Sequence, residues 1–180
     1  MIISDDEKRI YLSLANQAIV SHLNNHELPK EIITQAQSCT TATYKLGVFI
    51  TLRKNHNLRG CIGCITASTP LITTIPNYAI QAAINDTRFS PVTITEFPDI
   101  SLSLSILTPP SPAENYTQIV IGRHGVIFNY NHHRSVFLPE VATEQNWNLE
   151  MLLLQLEYKA GAPSGSWKKA TYEIFESIKF

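Results

Sequence analysis

Nowhere in this chain do about eighteen apolar residues follow one another, the length at which a helix begins to span a bilayer, so no membrane crossing is expected. The opening residues, Met1-Ile2-Ile3-Ser4-Asp5-Asp6-Glu7, lack a basic stretch followed by an apolar core, and a cytoplasmic address is the expectation. Excess charge is missing as well. The 14 Lys and Arg stand against 15 Asp and Glu with no run of either sign, which argues against a general nucleic-acid binder, whose affinity rests on neutralising phosphates. Cysteine is scarce: Cys39, Cys61 and Cys64 make an odd set in a chain without a secretion signal, so the thiols read as free rather than as a disulfide framework. No second C-x-x-C accompanies Cys61-Ile62-Gly63-Cys64, and no metal site is expected there. Low-complexity tracts are absent too. With 44% hydrophobic residues over a length of 180, the chain can bury one core, and a single domain over residues 1–180 is the expectation.

What is present is patterned. Ser4-Asp5-Asp6-Glu7 has the form of a capping box, and Ile10, Leu14, Ala18 with Tyr11, Ala15, Ile19 form adjacent helical rows running toward His22. A shorter helix follows Pro29, through Ala36. From Tyr44 the period becomes two, with Leu46, Val48, Ile50 and Leu52 on the same face; Lys54–Asn57 is turn-like, and Leu58–Ile65 returns as the second strand of a hairpin. Leu71, Ile75, Ala79, Ala82 and Ala83 share helical spacing, but Pro76 lies among them and places the regular helix at Pro76–Ile84. Ile100, Leu102, Leu104 and Ile106 alternate with serines as a half-buried strand. Thr108-Pro109-Pro110-Ser111-Pro112 ends it, either as a hinge between lobes or as a stiff crossover within one domain; chain length favours the crossover. Gly125–Phe128 and Ser135–Leu138 flank a turn that would carry His132 and His133 into solvent. Asn148 caps a helix with Leu149, Leu152, Leu153, Leu156 and Ala160 on a stripe, and Gly161 stops it. Tyr172, Ile174, Ile178 and Phe180 alternate as one last strand. Hairpins with helices between them predict an α+β fold: an antiparallel sheet packed with about three to four helices, with room for a smaller second lobe.

The residues that invite chemistry gather at Leu58-Arg59-Gly60-Cys61-Ile62-Gly63. On a strand Arg59 and Cys61 share a face about 7 Å apart, where a guanidinium favours a nucleophilic thiolate. Gly60 and Gly63 remove side chains beside the thiol and open the backbone to a ligand. The structural alternative is a small buried cysteine beside a bulge. Cys61 and Cys64, three apart on a strand, diverge, so no disulfide switch is expected. In Asn85-Asp86-Thr87-Arg88-Phe89-Ser90-Pro91, Asp86 caps or turns the chain and Phe89 anchors it in the core, while Arg88 is a candidate contact for a small anion. Glu140 is a candidate base or arginine partner at the same surface, or else an ordinary surface carboxylate.

Gly47-Val48-Phe49-Ile50-Thr51-Leu52, Leu58 to Gly63, Asp86-Thr87-Arg88-Phe89, Phe137-Leu138-Pro139 and Lys159-Ala160-Gly161 with Trp167 stand in order over nearly the whole chain, which resembles an AMMECR-one-like domain. The resemblance implies an antiparallel α+β fold and a functional cleft at Arg59, Gly60 and Cys61. It supplies no cofactor and no established reaction. It also implies a pathway shared with Memo-like proteins of dioxygenase fold and radical SAM proteins, beside which such domains are often encoded. Cys64, Glu140 and His124 depart from the Thr, Gln and acidic residue of many relatives, and no role is carried over to those three. Two classes of function follow: a thiol-dependent enzyme in which Cys61 attacks an electrophile while Arg59 or Arg88 holds an anionic group, and a non-catalytic binding or adaptor module using the same residues.

Overall fold

Residues 2–180 are described by the computed structural model. Helix α1 (Asp5–Leu23) starts on the capping box: Glu7 N–H donates to the Ser4 hydroxyl at 3.2 Å, and the Glu7 carboxylate accepts Ser4 N–H at 3.0 Å. It buries Tyr11, Leu14, Ala15, Ala18 and Ile19, the face its spacing foretold. Helix α2 (Lys30–Gln37) follows Pro29. Strands β1 (Val48–Lys54) and β2 (Asn57–Cys64) form the expected hairpin, its turn carried by Asn55 and His56 at φ of 50° and 65°, the left-handed pair that matches strand twist. The strand begins at Val48 rather than Tyr44, because Tyr44 is drawn into a turn by its own N–H bond to the Thr41 carbonyl.

Helix α3 (Leu71–Ile84) runs straight through Pro76, where the sequence placed its start. The amides of Leu71 and Ile72 donate to the carbonyls of Tyr44 and Ala42, so the first turn is anchored by the loop between α2 and β1, and the proline removes only one helical bond. Strand β3 (Ile100–Leu107) completes the elements before the proline cluster.

The chain divides into two compact units, one of residues up to Leu107 together with Ile178–Phe180 and the other of Thr108–Ser177. In the first, an antiparallel sheet of order β2-β1-β3-β8, with β8 at Ser177–Lys179, lays Val48, Ile50, Leu52, Leu104 and Ile106 into a core shared with α1 and α3. In the second, β4 (Ser111–Ala113), β5 (Gly125–Tyr130), β6 (His133–Phe137) and β7 (Thr171–Phe175) form a sheet of order β4-β7-β5-β6. Its core joins Val126, Phe128 and Tyr172 to Leu152, Leu153 and Leu156 of a helix over Leu149–Ala160. That helix has its cap at Asn148 and its left-handed stop at Gly161, φ 63°.

Three details differ from the pattern reading. A short helix, α4 (Pro139–Glu144), precedes the Leu149–Ala160 helix, here α5, and brings the helices to five; six residues opening on Pro139 are too few to show a helical period. The last alternating run is two strands in different sheets, parted at Glu176, whose N–H donates to the Thr108 hydroxyl at 2.8 Å and whose carbonyl accepts Thr108 N–H at 2.9 Å. The second hairpin turns tightly at Asn131 and His132, so His133 lies in β6 with Nδ1 3.1 Å from the Ala160 carbonyl oxygen rather than free in solvent. Among the described residues no helix is long and apolar enough to cross a membrane.

Candidate functional site

Strand β2 lies at the edge of the first sheet, and its glycines are there for the backbone around them. A Cβ on Gly60 would come 2.2 Å from the Ala82 carbonyl oxygen of α3, and one on Gly63 would come 2.1 Å from the Val48 carbonyl oxygen. Both are close-approach positions that no side chain can share. Leu52 pairs with Gly60 and Arg53 with Leu58, which leaves Arg59 as the extra residue of a β-bulge. The bulge breaks the regular alternation of the strand at Arg59. The Arg59 guanidinium grips Glu96 with two bonds of 2.9 Å, and Lys54 reaches the same carboxylate at 3.3 Å. The Arg59 bond, then the one from Lys54, outweighs burial and holds Glu96 below its ordinary pKa.

Cys61 sits opposite Thr51 on β1, its sulfur 3.4 Å from the threonine hydroxyl, and the thiol is half-buried. Its backbone faces the free edge. The Asp86 carboxylate accepts Cys61 N–H at 2.8 Å, and the Arg88 guanidinium donates to the Cys61 carbonyl at 3.3 Å, so two side chains occupy the positions a neighbouring strand would take. Asp86 itself accepts from Arg88 through the backbone N–H at 3.2 Å and through Nε and Nη2 at 2.9 and 2.7 Å. Those bonds, first of all the side-chain bond from Arg88, keep the Asp86 carboxyl well below its usual range despite burial, and in return raise Arg88. Asp86 is 7% exposed but Arg88 is 55% exposed. Phe89 belongs to no core cluster; it is half-buried with the guanidinium carbons of Arg59 and Arg88 5.9 and 5.5 Å from its ring centre.

The site residues read from the sequence therefore separate. Arg59, Gly60, Cys61, Gly63, Asp86 and Arg88 come together at one strand edge, whereas Glu140 lies on α4 in the second unit. The guanidinium that touches Cys61 is that of Arg88. Cys64 lies on the opposite face from Cys61, beside Tyr78 of α3, whose hydroxyl pKa its proximity raises. Sequence reasoning missed Glu96 and Thr51: the first lies 37 residues beyond Arg59, and only the strand register reveals the second. It also allowed the chain no H-x-x-x-H with which to complete a zinc site, although His22-Leu23-Asn24-Asn25-His26 has that spacing.

Once Gly60, Gly63, Arg59 and Glu96 are accounted for by packing and pairing, what is left with unspent chemistry is the Cys61 thiol, the Thr51 hydroxyl and the outward half of the Arg88 guanidinium. A cation fixed by a buried carboxylate, with Nη1 making no hydrogen bond among the described residues, is organised in advance for a planar acceptor.

A family model described as AMMECR1 matches residues 12–180. A protein of Methanococcus aeolicus is 42% identical over 144 residues, covering 74% of this chain and 72% of that protein. A protein of Thermococcus onnurineus is 34% identical over 191 residues, covering 97% and 92%. The crystal structure of the uncharacterized protein PH0010 from Pyrococcus horikoshii superposes with a TM-score of 0.84 at 30% identity, over 98% of this chain and 92% of that one.

Proposed function

This chain belongs to the AMMECR1 family, and from that premise we propose that it is a binding module whose docking surface is the β2 edge at Cys61, with Arg88 as the charged contact. The observation that carries the reading is the clamp of Asp86 on Arg88: a buried carboxylate spends its acceptors on holding one half of a guanidinium that is otherwise exposed. A fixed guanidinium recognises a carboxylate or phosphate by its fork, and little side-chain entropy remains to be lost on binding. Arg59 supports the surface by fixing the bulge against Glu96, and Gly60 and Gly63 keep it flat. The family resemblance points to Memo-like and radical SAM proteins as the partners, in the cytoplasm, and a small anion is the alternative occupant of the same fork. The test is titration of the purified chain with those two partners. Arg88→Ala is expected to weaken capture about tenfold or more while the far-ultraviolet spectrum stays unchanged, and unaltered capture sinks the reading.

One observation favours the second reading, thiol chemistry. The Cys61 thiol is half-exposed with its sulfur beside the Thr51 hydroxyl, and the Arg88 guanidinium, which donates to the Cys61 backbone carbonyl, is the only cation that contacts this residue among those described. Here Cys61 would attack an electrophilic centre while Arg88 holds an anionic group of the substrate. Mass-spectrometric alkylation of folded protein against pH distinguishes the two readings. Fast reaction of Cys61 relative to Cys39 and Cys64, already at mildly acid pH, supports the nucleophile; equal rates leave only the docking surface.

A further inference from the structure

The end of α1 and the first half of α3 border an open surface cavity of about 280 Å³ lined by His22 and His26 together with Ser21, Pro76, Asn77 and Ile80. The chain is shaped to bring the histidines there. Asn25 takes the left-handed conformation, φ 55°, and the turn is closed by Asn25 N–H to the His22 carbonyl at 3.1 Å and by His26 N–H to the Ser21 carbonyl at 2.8 Å. The chain therefore doubles back over the last helical turn, and His26 returns to the wall from which His22 projects. Among the described residues no lysine, arginine or carboxylate lines the cavity. The helix end that borders it is the carbonyl end, which carries partial negative charge and favours a cation.

We propose that His22 and His26 form a binding site for a borderline transition-metal dication such as zinc, nickel or copper(II), with the Asn77 side-chain carbonyl as a third donor and water completing the coordination. Paired imidazoles without a carboxylate select these ions over magnesium and calcium, which take oxygen ligands. The site is remote in sequence from Arg88 and Cys61, uses none of their atoms, and stands whether or not the β2 edge is a docking surface.

Calorimetric titration with zinc chloride, and line broadening of the histidine ring signals by substoichiometric copper(II), test the assignment. One equivalent should bind at micromolar metal and broaden His22 and His26 before His132 and His133. His22→Ala and His26→Ala, both exposed positions where folding is not at stake, should each weaken binding about tenfold or more. Cys61→Ser with Cys64→Ser should leave it unchanged, and magnesium should not compete. Binding that survives the double histidine variant, that disappears with the cysteine pair, or that is absent at micromolar metal overturns the proposal.

Discussion

Glu7 is one carboxylate with three tasks. Its oxygens accept the N–H of Ser4 and, across the fold, the N–H of Thr41 and the hydroxyls of Thr40 and Thr41. Burial on its own would raise its pKa, but these bonds outweigh it and bring the group from 4.5 down to about 2. A carboxyl depressed on folding stabilises the native state fully above its unfolded value and loses that contribution as pH falls through its folded one. Glu7 should therefore add about 3 kcal/mol at neutral pH, eroding between pH 4.5 and 2. Urea denaturation followed across pH is expected to show that acid limb, and Glu7→Gln should lower neutral stability by about 2–3 kcal/mol and flatten it. At the same scale, Asp86→Ala should leave Cys61 N–H without its acceptor, and native-state hydrogen exchange at that amide is expected to quicken about 10–100-fold. The two acids were not equally legible. Ser4 and Glu7 are three residues apart and announced the cap, but the bonds from Glu7 to Thr40 and Thr41 join positions more than thirty apart, and no local pattern encodes them.

Elements were readable where one local rule governed them. Asn148 and Gly161 bracket α5, and Asn55-His56 turn the first hairpin, because caps and turns depend on nearest neighbours. Helix α3 was misplaced at its start because the amides of Leu71 and Ile72 are satisfied from Ala42 and Tyr44, a tertiary answer to what read as a proline problem. The Leu58–Gly63 motif was legible as a place and its glycines allowed for a bulge, yet the position of that bulge at Arg59 was not legible, since it depends on how β2 is matched to β1. Packing of α3 on β2 gives this element its sharpest test. Gly60→Ala would thrust a methyl to 2.2 Å from the Ala82 carbonyl oxygen, where neither backbone has a flexible end to move aside. A loss of about 1–3 kcal/mol or more is expected in chemical denaturation. Gly161→Ala, with φ of 63° but nothing within 4 Å, should cost only about 1 kcal/mol from backbone strain. Equal losses would mean that space beside Gly60 is not what selects glycine there.

For the whole molecule, the sequence pointed to antiparallel α+β structure correctly, but Tyr172 to Phe180 read as one strand because Tyr172, Ile174, Ile178 and Phe180 keep the same parity across Glu176. The ladder explains what the parity hid. Leu104 and Phe180 exchange N–H to carbonyl bonds at 2.8 and 3.0 Å, and Thr108 N–H donates to the Glu176 carbonyl at 2.9 Å, so β3 and β8 run antiparallel until the chain leaves for the second unit and comes back beside where it left. Continued along the strands, the register that pairs Leu104 with Phe180 matches Leu107 with Ser177, the placement a two-residue turn requires. Replacing residues 108–176 by a two-residue Asn-Gly turn should therefore leave a first unit that keeps the core of Tyr11, Leu14, Ile50, Leu52 and Leu104. Cooperative urea unfolding, with Cys39, 7% exposed, resisting alkylation until the transition, is the expected outcome. A product that binds hydrophobic dye and labels at Cys39 without denaturant would mean that the two cores are parts of one domain spanning residues 1–180, and that the proline cluster at 108–112 is a crossover inside it rather than a boundary.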